Sequence, residues 1–278
     1  MTKVSIIVPC FNQSQYLSEA LNSVMKQTFD SWECIIINDG SIDQTEEISQ
    51  NYCSSDSRFN YHYIENSGLS NARNHGIKYS SGEYILPLDA DDIIAPDYLK
   101  LATSILDNDV NIKMVYCIAQ LFGYENGIWN LPDYDFKLLL KKSIIFCSGV
   151  YRRIDFNKTN GYSIDMKYGL EDWEFWISLL QHGGIVYKIP QVLFYYRTKE
   201  ISMAKSLSRE KFYYLQNVVY EKHKETYDLF FYSPIYQINL VDELHRDKEE
   251  YLKKINLIEN SLSWKFRKFI RRLFRLAN

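Results

Sequence analysis

Four short apolar runs, each followed by polar residues, constrain the fold of this chain more than any other feature. They begin at Val4, Cys34, Phe59 and Tyr84, and residues with helical spacing come after each of them. The first run, 4–8, is of the kind found in parallel sheets that are buried on both faces. The alternation of strands and helices therefore predicts a Rossmann-like, doubly wound α/β sheet.

Polar loops follow three of these runs, at 9–12, 38–41 and 89–92. In doubly wound sheets, ligands bind beyond the carboxyl ends of the strands, so we expect the three loops to meet at one edge. Neither G-x-G-x-x-G nor G-x-x-x-x-G-K-[ST] follows the first strand, which argues against a dinucleotide fold and against a P-loop.

Two residue pairs predict where the first two helices begin. Asn12 with Gln15, and Ser41 with Gln44, have the spacing of a capping pair at a helix start. Apolar residues at helical spacing follow the first pair. We therefore expect Asn12 and Ser41 to cap these helices.

Three carboxylates, Asp89, Asp91 and Asp92, come directly after the fourth run. Alternate side chains of an extended segment share a face, so Asp89 and Asp91 converge on one target. Like charges so close repel each other unless a cation lies between them. A divalent cation with oxygen ligands, Mg²⁺ or Mn²⁺, shared with substrate phosphates, is the economical explanation. The alternative is that Asp91 or Asp92 caps the helix beginning near Pro96 or forms an Asx-turn.

The stretch 168–181 predicts an amphipathic helix that ends at the glycine pair 183–184. Its apolar residues recur at i, i+3, i+4 and i+7, at Trp173, Trp176, Ile177 and Leu180. Glu171 and Asp172 lie in the first turn, where acids complement the helix dipole. Asp172 also suits a general base, because it is a carboxylate held on a rigid helix end beside a cleft.

Net charge, cysteine distribution and hydropathy narrow the class of protein and the compartment. A net charge of −3 gives no argument for nucleic acid as a partner. The five cysteines are scattered, which favours buried thiols in a reducing compartment over a disulfide framework. The sequence has no apolar run near the roughly 18 residues of a membrane span and no signal-peptide pattern. The expectation is a cytoplasmic protein.

A shift in composition after Ser208 divides the chain into a predicted catalytic domain, 1–208, and a helical extension, 209–278. Apolar residues within 241–262 keep a 3–4 spacing that favours a helical hairpin or a short coiled coil. An amphipathic helix packed on the main domain is the alternative. The sequence leaves the oligomeric state open, with a homodimer as one option. The last stretch, 264–276, combines an apolar face with six Lys and Arg residues, which suits peripheral binding to an anionic membrane surface. A solvated helix and a basic partner-binding arm are the other interpretations.

Five motifs in order resemble the family 2 inverting glycosyltransferases, which have the glycosyltransferase-A fold. The resemblance covers about the first 200 residues. It implies a doubly wound mixed sheet, here with a C-terminal helical extension. The motifs are V-S-I-I-V-P-C-F-N (4–12), N-D-G-S-x-D (38–43), N-S-G-L-S-N-A-R-N (66–74), L-D-A-D-D (88–92) and E-D-W-E-F-W (171–176).

The resemblance also implies how a nucleoside-diphosphate sugar is held. Phe11 and Asp39 would hold the nucleotide base, with the backbone of Pro9 nearby. Arg73 would contact the phosphates of the nucleotide or order that loop. Uridine is the base that the resemblance implies by default, and thymidine and guanosine donors stay open.

The remaining motifs are implied to serve the metal and the acceptor. Asp89 and Asp91 would serve the ribose and the metal, with Asp91 as the direct ligand. Asp172 would take the proton from the acceptor hydroxyl, and Glu171 and Trp173 would shape the acceptor pocket. The hydroxyl then attacks the anomeric carbon opposite the leaving diphosphate, so the configuration inverts.

One position departs from the family pattern. Many members follow the last strand with Y-R-x-H-x-x-S, but residues 196–202 here have Lys199 in the position of the His. A protonated lysine is not a metal ligand, although it can pair with a diphosphate directly. The alternative is an ordinary surface lysine on a mobile loop.

The function expected from these observations is transfer of a sugar from a UDP-sugar or related donor to a hydroxyl acceptor. The basic tail favours a lipid-linked glycan as acceptor, as in assembly of bacterial surface polysaccharide at the cytoplasmic membrane face. A metal-dependent nucleotidyltransferase is a second interpretation, although residues 11–14 are not the Gly-rich, basic loop that would favour it. A non-catalytic sugar-nucleotide-binding scaffold is a third, and it predicts loss of the base at Asp172, which is present.

Overall fold

The computed structural model describes residues 2–200, 206–232, 234–261 and 264–267. Within these residues, nine strands form one mixed sheet in the order β3-β2-β1-β4-β8-β6-β9-β5, and β7 pairs with β6 beside this path. The strands are β1 (Val4–Cys10), β2 (Trp32–Asp39), β3 (Phe59–Ile64), β4 (Tyr84–Pro87), β5 (Ile93–Ile94), β6 (Ile112–Gly123), β7 (Gly127–Ile128), β8 (Val150–Arg152) and β9 (Ile185–Thr198). The helices are α1 (Ser14–Met25), α2 (Thr45–Ser55), α3 (Leu69–Lys78), α4 (Tyr98–Asn108), α5 (Phe136–Leu139), α6 (Arg153–Phe156), α7 (Glu171–Leu180), α8 (Arg209–Lys222), α9 (Lys224–Phe230) and α10 (Pro234–Asn260).

The first four predicted strands form the parallel part of the sheet. β1 pairs in parallel with β2 and β4, and β2 pairs in parallel with β3. Every residue of β1 is buried, as expected of a strand with helices packed around it. A Cβ atom on Gly76 would lie 2.4 Å from Cγ2 of Ile7, so only glycine lets α3 approach β1 this closely. The doubly wound prediction is confirmed for this part of the chain.

The second part of the sheet reverses direction. β8 pairs antiparallel with both β4 and β6, β6 pairs in parallel with the long strand β9, and β5 pairs antiparallel with β9. The sheet is therefore mixed, as the family resemblance implied. β9 ends at Thr198 beside Gly123, and this register places residues 197–199 at the edge where the polar loops lie.

The two predicted capping pairs are wrong. The residues that precede α1 and α2 are Gln13 and Gln44, and the side chains of Asn12 and Ser41 are used across the loops instead. Asn12 Oδ1 accepts a hydrogen bond of 2.9 Å from the backbone N–H of Ile42, and Ser41 Oγ accepts one of 3.0 Å from the N–H of Asn12. Polar side chains at one sheet edge reach the neighbouring loop as easily as their own helix, so local spacing misassigned them.

One residue of the second loop, Asp43, satisfies the starts of both helices. Its Oδ2 accepts from the N–H of Ser14 at 2.9 Å, and its Oδ1 accepts from the N–H of Thr45 at 3.1 Å. A carboxylate at two helix N-termini complements both dipoles. These hydrogen bonds lower the pKa of Asp43 although burial opposes them. The loops after β1 and β2 are thus joined through this carboxylate.

The chain divides into two compact units, residues 1–224 and 225–278. The first unit contains the sheet and α8, whose Leu215 and Val219 are buried. The second unit contains α10 and most of α9. Among the apolar side chains of α10 that keep the 3–4 spacing, about half or more of the surface is exposed, at Val241, Leu244, Tyr251, Ile255 and Ile258.

Two further expectations concern cysteines and membranes. All five cysteines lie in the described residues and are free thiols; four are buried and Cys53 is partly exposed, as predicted. In the described parts of the chain, no helix combines the length and the apolar composition that a bilayer span requires. Of the predicted amphipathic tail, 264–267 is helical and 268–276 lies outside the described residues.

Candidate active site

The three polar loops lie together at the carboxyl edge of the sheet, as predicted. The loops after β1 and β2 share the hydrogen bonds of Asn12 and Ser41. Lys199 joins the first loop to the third, because its Nζ lies 2.9 Å from Gln13 Oε1 and 2.7 Å from Asp91 Oδ2. Residues far apart in sequence therefore form one polar surface at this edge.

The residues predicted to hold the nucleotide base lie at the ends of β1 and β2 and in the loop that follows β1. Phe11 has 48% of its surface exposed at the edge, and Pro9 is buried at the end of β1 beside Ile37. Asp39 is buried, and its carboxylate accepts hydrogen bonds from the N–H groups of Ser67 at 2.8 Å and Gly68 at 3.0 Å. Asp39 therefore positions the loop before α3.

Arg73 of α3 connects three of the sequence motifs. Its guanidinium is 1% exposed and makes two ion pairs of 2.6 Å, from Nη1 to Glu171 Oε1 and from Nη2 to Asp89 Oδ1. The ring of Tyr162 lies 5.3 Å from the guanidinium carbon. Burial lowers the pKa of Arg73, but the two carboxylates outweigh it and hold this pKa well above its ordinary value. Arg73 thus fixes the end of β4 and the start of α7 at one point.

The acidic residues after β4 have three different environments. Asp89 accepts a hydrogen bond of 3.5 Å from the buried thiol of Cys147, in addition to its ion pair with Arg73. Asp91 pairs with Lys199. Asp92 is 1% exposed and its Oδ1 accepts from the backbone N–H of Arg197 at 2.8 Å, whereas its Oδ2 is buried without a hydrogen-bond partner among the described residues.

Electrostatic repulsion is evident in this acidic cluster of Asp89, Asp91 and Asp92. Burial, followed by the neighbouring carboxylates, raises the pKa of Asp91 and raises that of Asp92 more strongly. The proposal that one of them caps the next helix is wrong, because the residue that precedes α4 is Asp97. The like charges are instead held together at the candidate ligand site, at a cost that a cation would offset.

The donor atoms present fit a divalent cation. One carboxylate oxygen from each of Asp89 and Asp92 and the sulfur of Cys147 lie within 4.8 Å of one another. Asp92 Oδ2 is buried and has no hydrogen-bond partner among the described residues. Burial raises the pKa of the Cys147 thiol well above its ordinary value, so the sulfur is a hydrogen-bond donor rather than a thiolate ligand. The oxygens of the acidic cluster are the ligand type that Mg²⁺ and Mn²⁺ prefer. Sequence reasoning placed Asp89 and Asp91 here and did not include Asp92 as a ligand.

Asp172 lies at the start of α7 and is partly exposed. Leu170 directly before the helix has a φ of 60°, which turns the chain sharply into it. Asp172 Oδ1 accepts from the N–H of Trp173 at 2.8 Å. Burial, and then the charge of Glu171, raise the pKa of Asp172 to about 7. A carboxylate with this pKa can take a proton near neutral pH.

Trp173 is 2% exposed and anchors the first turn of α7 in the protein interior. Its Nε1 donates a hydrogen bond of 2.6 Å to the carbonyl oxygen of Leu139 in α5. Glu171 is also buried and faces Arg73. Both neighbours of Asp172 are therefore held rigidly, which limits the movement of the carboxylate between them.

Lys199 is the first residue after β9, and 21% of its side chain is exposed. Besides Asp91 and Gln13, its Nζ faces the ring of Tyr16 at 4.6 Å from the centroid. Sequence reasoning missed Gln13, Tyr16 and Cys147, and no motif marks these residues. The packing of β9 places Lys199 beside Gln13 and Tyr16. The packing of residues 143–149 places Cys147 beside Asp89 of the acidic cluster.

The mixed sheet, the acidic cluster after β4 and the carboxylate at the start of α7 define a glycosyltransferase-A fold. The family model of glycosyl transferase family 2 matches residues 5–162. The chain belongs to this family.

Individual relatives are similar over different shares of their length. An uncharacterized glycosyltransferase of Rickettsia typhi is 32% identical over 66% of this chain and 60% of its own. An uncharacterized glycosyltransferase of Haemophilus influenzae is 27% identical over 94% of this chain and 86% of its own. The putative glycosyltransferase EpsH of Bacillus subtilis is 43% identical over 34% of this chain and 28% of its own. The chain thus spans well under two thirds of EpsH and somewhat under two thirds of the Rickettsia typhi relative.

Among solved structures, S. aureus TarS residues 1–349 in complex with UDP has a TM-score of 0.64 and 24% identity, covering 78% of this chain and 64% of that one. The same protein in complex with UDP-GlcNAc has a TM-score of 0.65 and 22% identity, covering 78% of this chain and 65% of that one. At this level of identity, the similarity shows the fold.

Proposed function

We propose that this protein is an inverting glycosyltransferase that moves a sugar from a nucleoside-diphosphate sugar to a hydroxyl acceptor. The observation that carries the proposal is Arg73, whose two ion pairs of 2.6 Å join Asp89 of the acidic cluster to Glu171, the first residue of the helix that carries Asp172. In this proposal the acidic cluster binds a cation, and Asp172, with a pKa of about 7, is the base. The cation would stabilise the leaving diphosphate, and the base would deprotonate the acceptor hydroxyl.

The donor in this proposal is a UDP-sugar. Solved structures of the same fold contain UDP and UDP-GlcNAc. Phe11, exposed at the edge, offers a ring for the base, and Asp39 holds the loop beneath it. The backbone of Pro9 lies at the end of the same strand. Arg73 is buried, so its contribution is to order the site rather than to reach far into solvent.

The divalent metal, Mn²⁺ or Mg²⁺, would be held by oxygens of Asp89, Asp91 and Asp92. When bound, it supplies positive charge that stabilises the leaving diphosphate. The described residues then do the rest: Arg73 keeps Asp89 in place, and the N–H of Arg197 orients Asp92.

Asp172 is the proposed base. Its deprotonated carboxylate takes the proton of the acceptor hydroxyl while the hydroxyl oxygen bonds to the anomeric carbon and the bond from that carbon to the diphosphate oxygen breaks. Because this is a single displacement from the opposite side, the configuration at the anomeric carbon inverts. Glu171 and Trp173 hold the helix that carries the base and border the acceptor side.

The acceptor in this proposal is a glycan or lipid-linked glycan of a bacterial surface polysaccharide. The basic segment 264–276 supports it, since Lys and Arg residues beside apolar ones favour an anionic membrane surface. The protein would then act in the cytoplasm, at the inner face of the cell membrane.

A binding screen followed by product analysis tests the function. The full chain is titrated with UDP, dTDP, GDP and CDP, each with Mn²⁺, with Mg²⁺ and with chelator. We expect metal-dependent binding of one diphosphate that Asp91→Ala abolishes, and slow release of that diphosphate from its sugar donor. Asp172→Asn should retain donor binding and lose turnover. Release of pyrophosphate from a nucleoside triphosphate supplied with a sugar 1-phosphate would instead identify a nucleotidyltransferase. Binding of none of the four diphosphates would refute a sugar-nucleotide function.

A further inference from the structure

The ammonium group of Lys199 lies where it can pair with either of two negative groups, the carboxylate of Asp91 or the diphosphate of a bound donor. Its Nζ lies 2.7 Å from Asp91 Oδ2, within the cluster of carboxylates that would bind a metal. We propose that Lys199 is an exchangeable counter-cation, which neutralises Asp91 in the metal-free protein and moves to the donor diphosphate when a divalent cation takes Asp91. The second half of this inference rests on the proposed function, whereas the first half concerns the metal alone.

The charge balance of the cluster supports competition between the ammonium group and a metal. Arg73 compensates Asp89 and Lys199 compensates Asp91, while Asp92 meets the uncharged N–H of Arg197. Arg73 is buried between two carboxylates and is part of the fold. Lys199 is the cation that a metal would meet on entering, and at so short a distance like charges repel strongly. Departure of Lys199 would free Asp91 Oδ2 for coordination.

The neighbouring arginine shows why Lys199, rather than its strand, is the movable element. Arg197 Nε donates to the carbonyl oxygen of Asp91 at 2.8 Å, and its Nη2 pairs with Glu19 at 2.7 Å. Its guanidinium carbon also lies 4.5 Å from the ring centroid of Tyr16 and 4.3 Å from that of Phe122. Four contacts thus hold Arg197 and the end of β9 in place. We therefore expect the backbone of β9 to stay fixed when the side chain of Lys199 moves.

Lys199 has fewer constraints. Apart from Asp91, its ammonium group contacts the neutral amide oxygen of Gln13 and the ring of Tyr16. These two contacts are weak compared with an ion pair to a diphosphate, which carries more negative charge than one carboxylate. The flexible four-carbon stem allows the ammonium group to swing without movement of the backbone. A histidine at this position could ligate a metal, but a protonated lysine can only yield its place to one.

The first experiment measures Mn²⁺ binding to the full chain without nucleotide, by electron paramagnetic resonance of free Mn²⁺. Lys199→Met removes the charge and retains most of the stem, so Mn²⁺ should bind about tenfold more tightly than to wild type. Lys199→Arg, which keeps the positive charge, should stay close to wild type. Thermal unfolding in chelator checks that each variant is folded.

A matched control is available on β9, the strand that ends just before Lys199. Lys188 also pairs with an aspartate at 2.8 Å, Asp133, and its Nζ lies 5.9 Å from the ring centroid of Tyr116. Lys188→Met removes the same charge away from the acidic cluster and should leave Mn²⁺ affinity unchanged. Equal affinities in Lys199→Met and wild type, or weaker binding in Lys199→Met, would overturn the competition between lysine and metal.

The second experiment measures UDP binding at saturating Mn²⁺ by calorimetry. Lys199→Met should bind UDP about tenfold more weakly, because one charge-assisted contact to the diphosphate is lost. Tighter Mn²⁺ binding with unchanged UDP affinity would overturn the movement to the diphosphate. If wild type binds Mn²⁺ but no nucleotide, the proposed function fails, while the Mn²⁺ comparison still decides the exchange at Asp91.

Discussion

Replacement of Asp172 by Asn should stabilise the folded protein above pH 7 while it abolishes turnover. The pKa of Asp172 is about 7 in the folded protein, against an ordinary aspartate value of about 3.9, a difference of about three pH units. Each unit corresponds to about 1.4 kcal/mol, so charging this carboxylate costs the fold about 4 kcal/mol. This pKa difference is the net of every interaction of the carboxylate, so the attraction to the helix dipole is already included in it. We therefore expect a gain of roughly 4 kcal/mol in the free energy of unfolding above pH 7.

The pH dependence of this gain identifies its cause. Between about pH 4 and pH 7 the folded protein binds a proton at Asp172 that the unfolded chain has lost, so wild-type stability falls as pH rises through this range. The Asn variant lacks this titration. Its advantage should be near zero at pH 4, should grow up to pH 7 and should stay constant above it.

Urea unfolding in chelator, followed by tryptophan fluorescence at several pH values, measures the two free energies. Asp133→Asn is the control, since Asp133 is exposed and pairs with Lys188, which lowers the pKa of Asp133. That variant should show no gain at high pH. Equal stability of Asp172→Asn and wild type at pH 8, or a gain that does not change with pH, would refute the argument that burial strains this carboxylate.

Other consequences follow from the same geometry. If Asp172 is the base, kcat/KM should fall about tenfold per pH unit below its pKa, and a flat profile from pH 5 to pH 8 would contradict the assignment. Arg73→Met leaves two carboxylates without their shared cation, so we expect a loss of about 3 kcal/mol or more in urea unfolding, against about 1 kcal/mol or less for Arg58→Met at a partly exposed ion pair. His223→Leu deprives the buried Glu174 carboxylate of its 2.8 Å partner and should lower stability by about 2 kcal/mol. Adding Glu174→Leu should recover most of that loss, and a double-mutant cycle without coupling would disprove the pairing.

Local patterns in the sequence predicted the parallel part of the sheet well. The third strand occupies the predicted residues, Phe59–Ile64, and the helices α3 and α7 lie within segments whose spacing predicted a helix. These elements depend on the spacing of apolar residues along a few turns or one strand, which is a local property. The grouping of three polar loops followed from topology, because the ends of parallel strands meet at one edge.

Predictions that depended on which loop a side chain would face were less successful. Asn12 and Ser41 have the spacing of helix caps, yet each bonds to the other loop. The strands β5 and β8 were not anticipated, because such short segments form strands only when a partner strand lies beside them. Such partners come from distant parts of the chain.

The sequence by itself determined the order of strands and helices, the family motifs and the types of residue at the site, since periodicity and composition are read along the chain. The tertiary structure decided how the charges are paired. Arg73 lies 98 residues before its partner Glu171, and Lys199 lies 186 residues after Gln13. Burial then set the pKa of Asp172 near 7. Electrostatic energies depend on distance and burial in space, and neither is encoded by position along the chain.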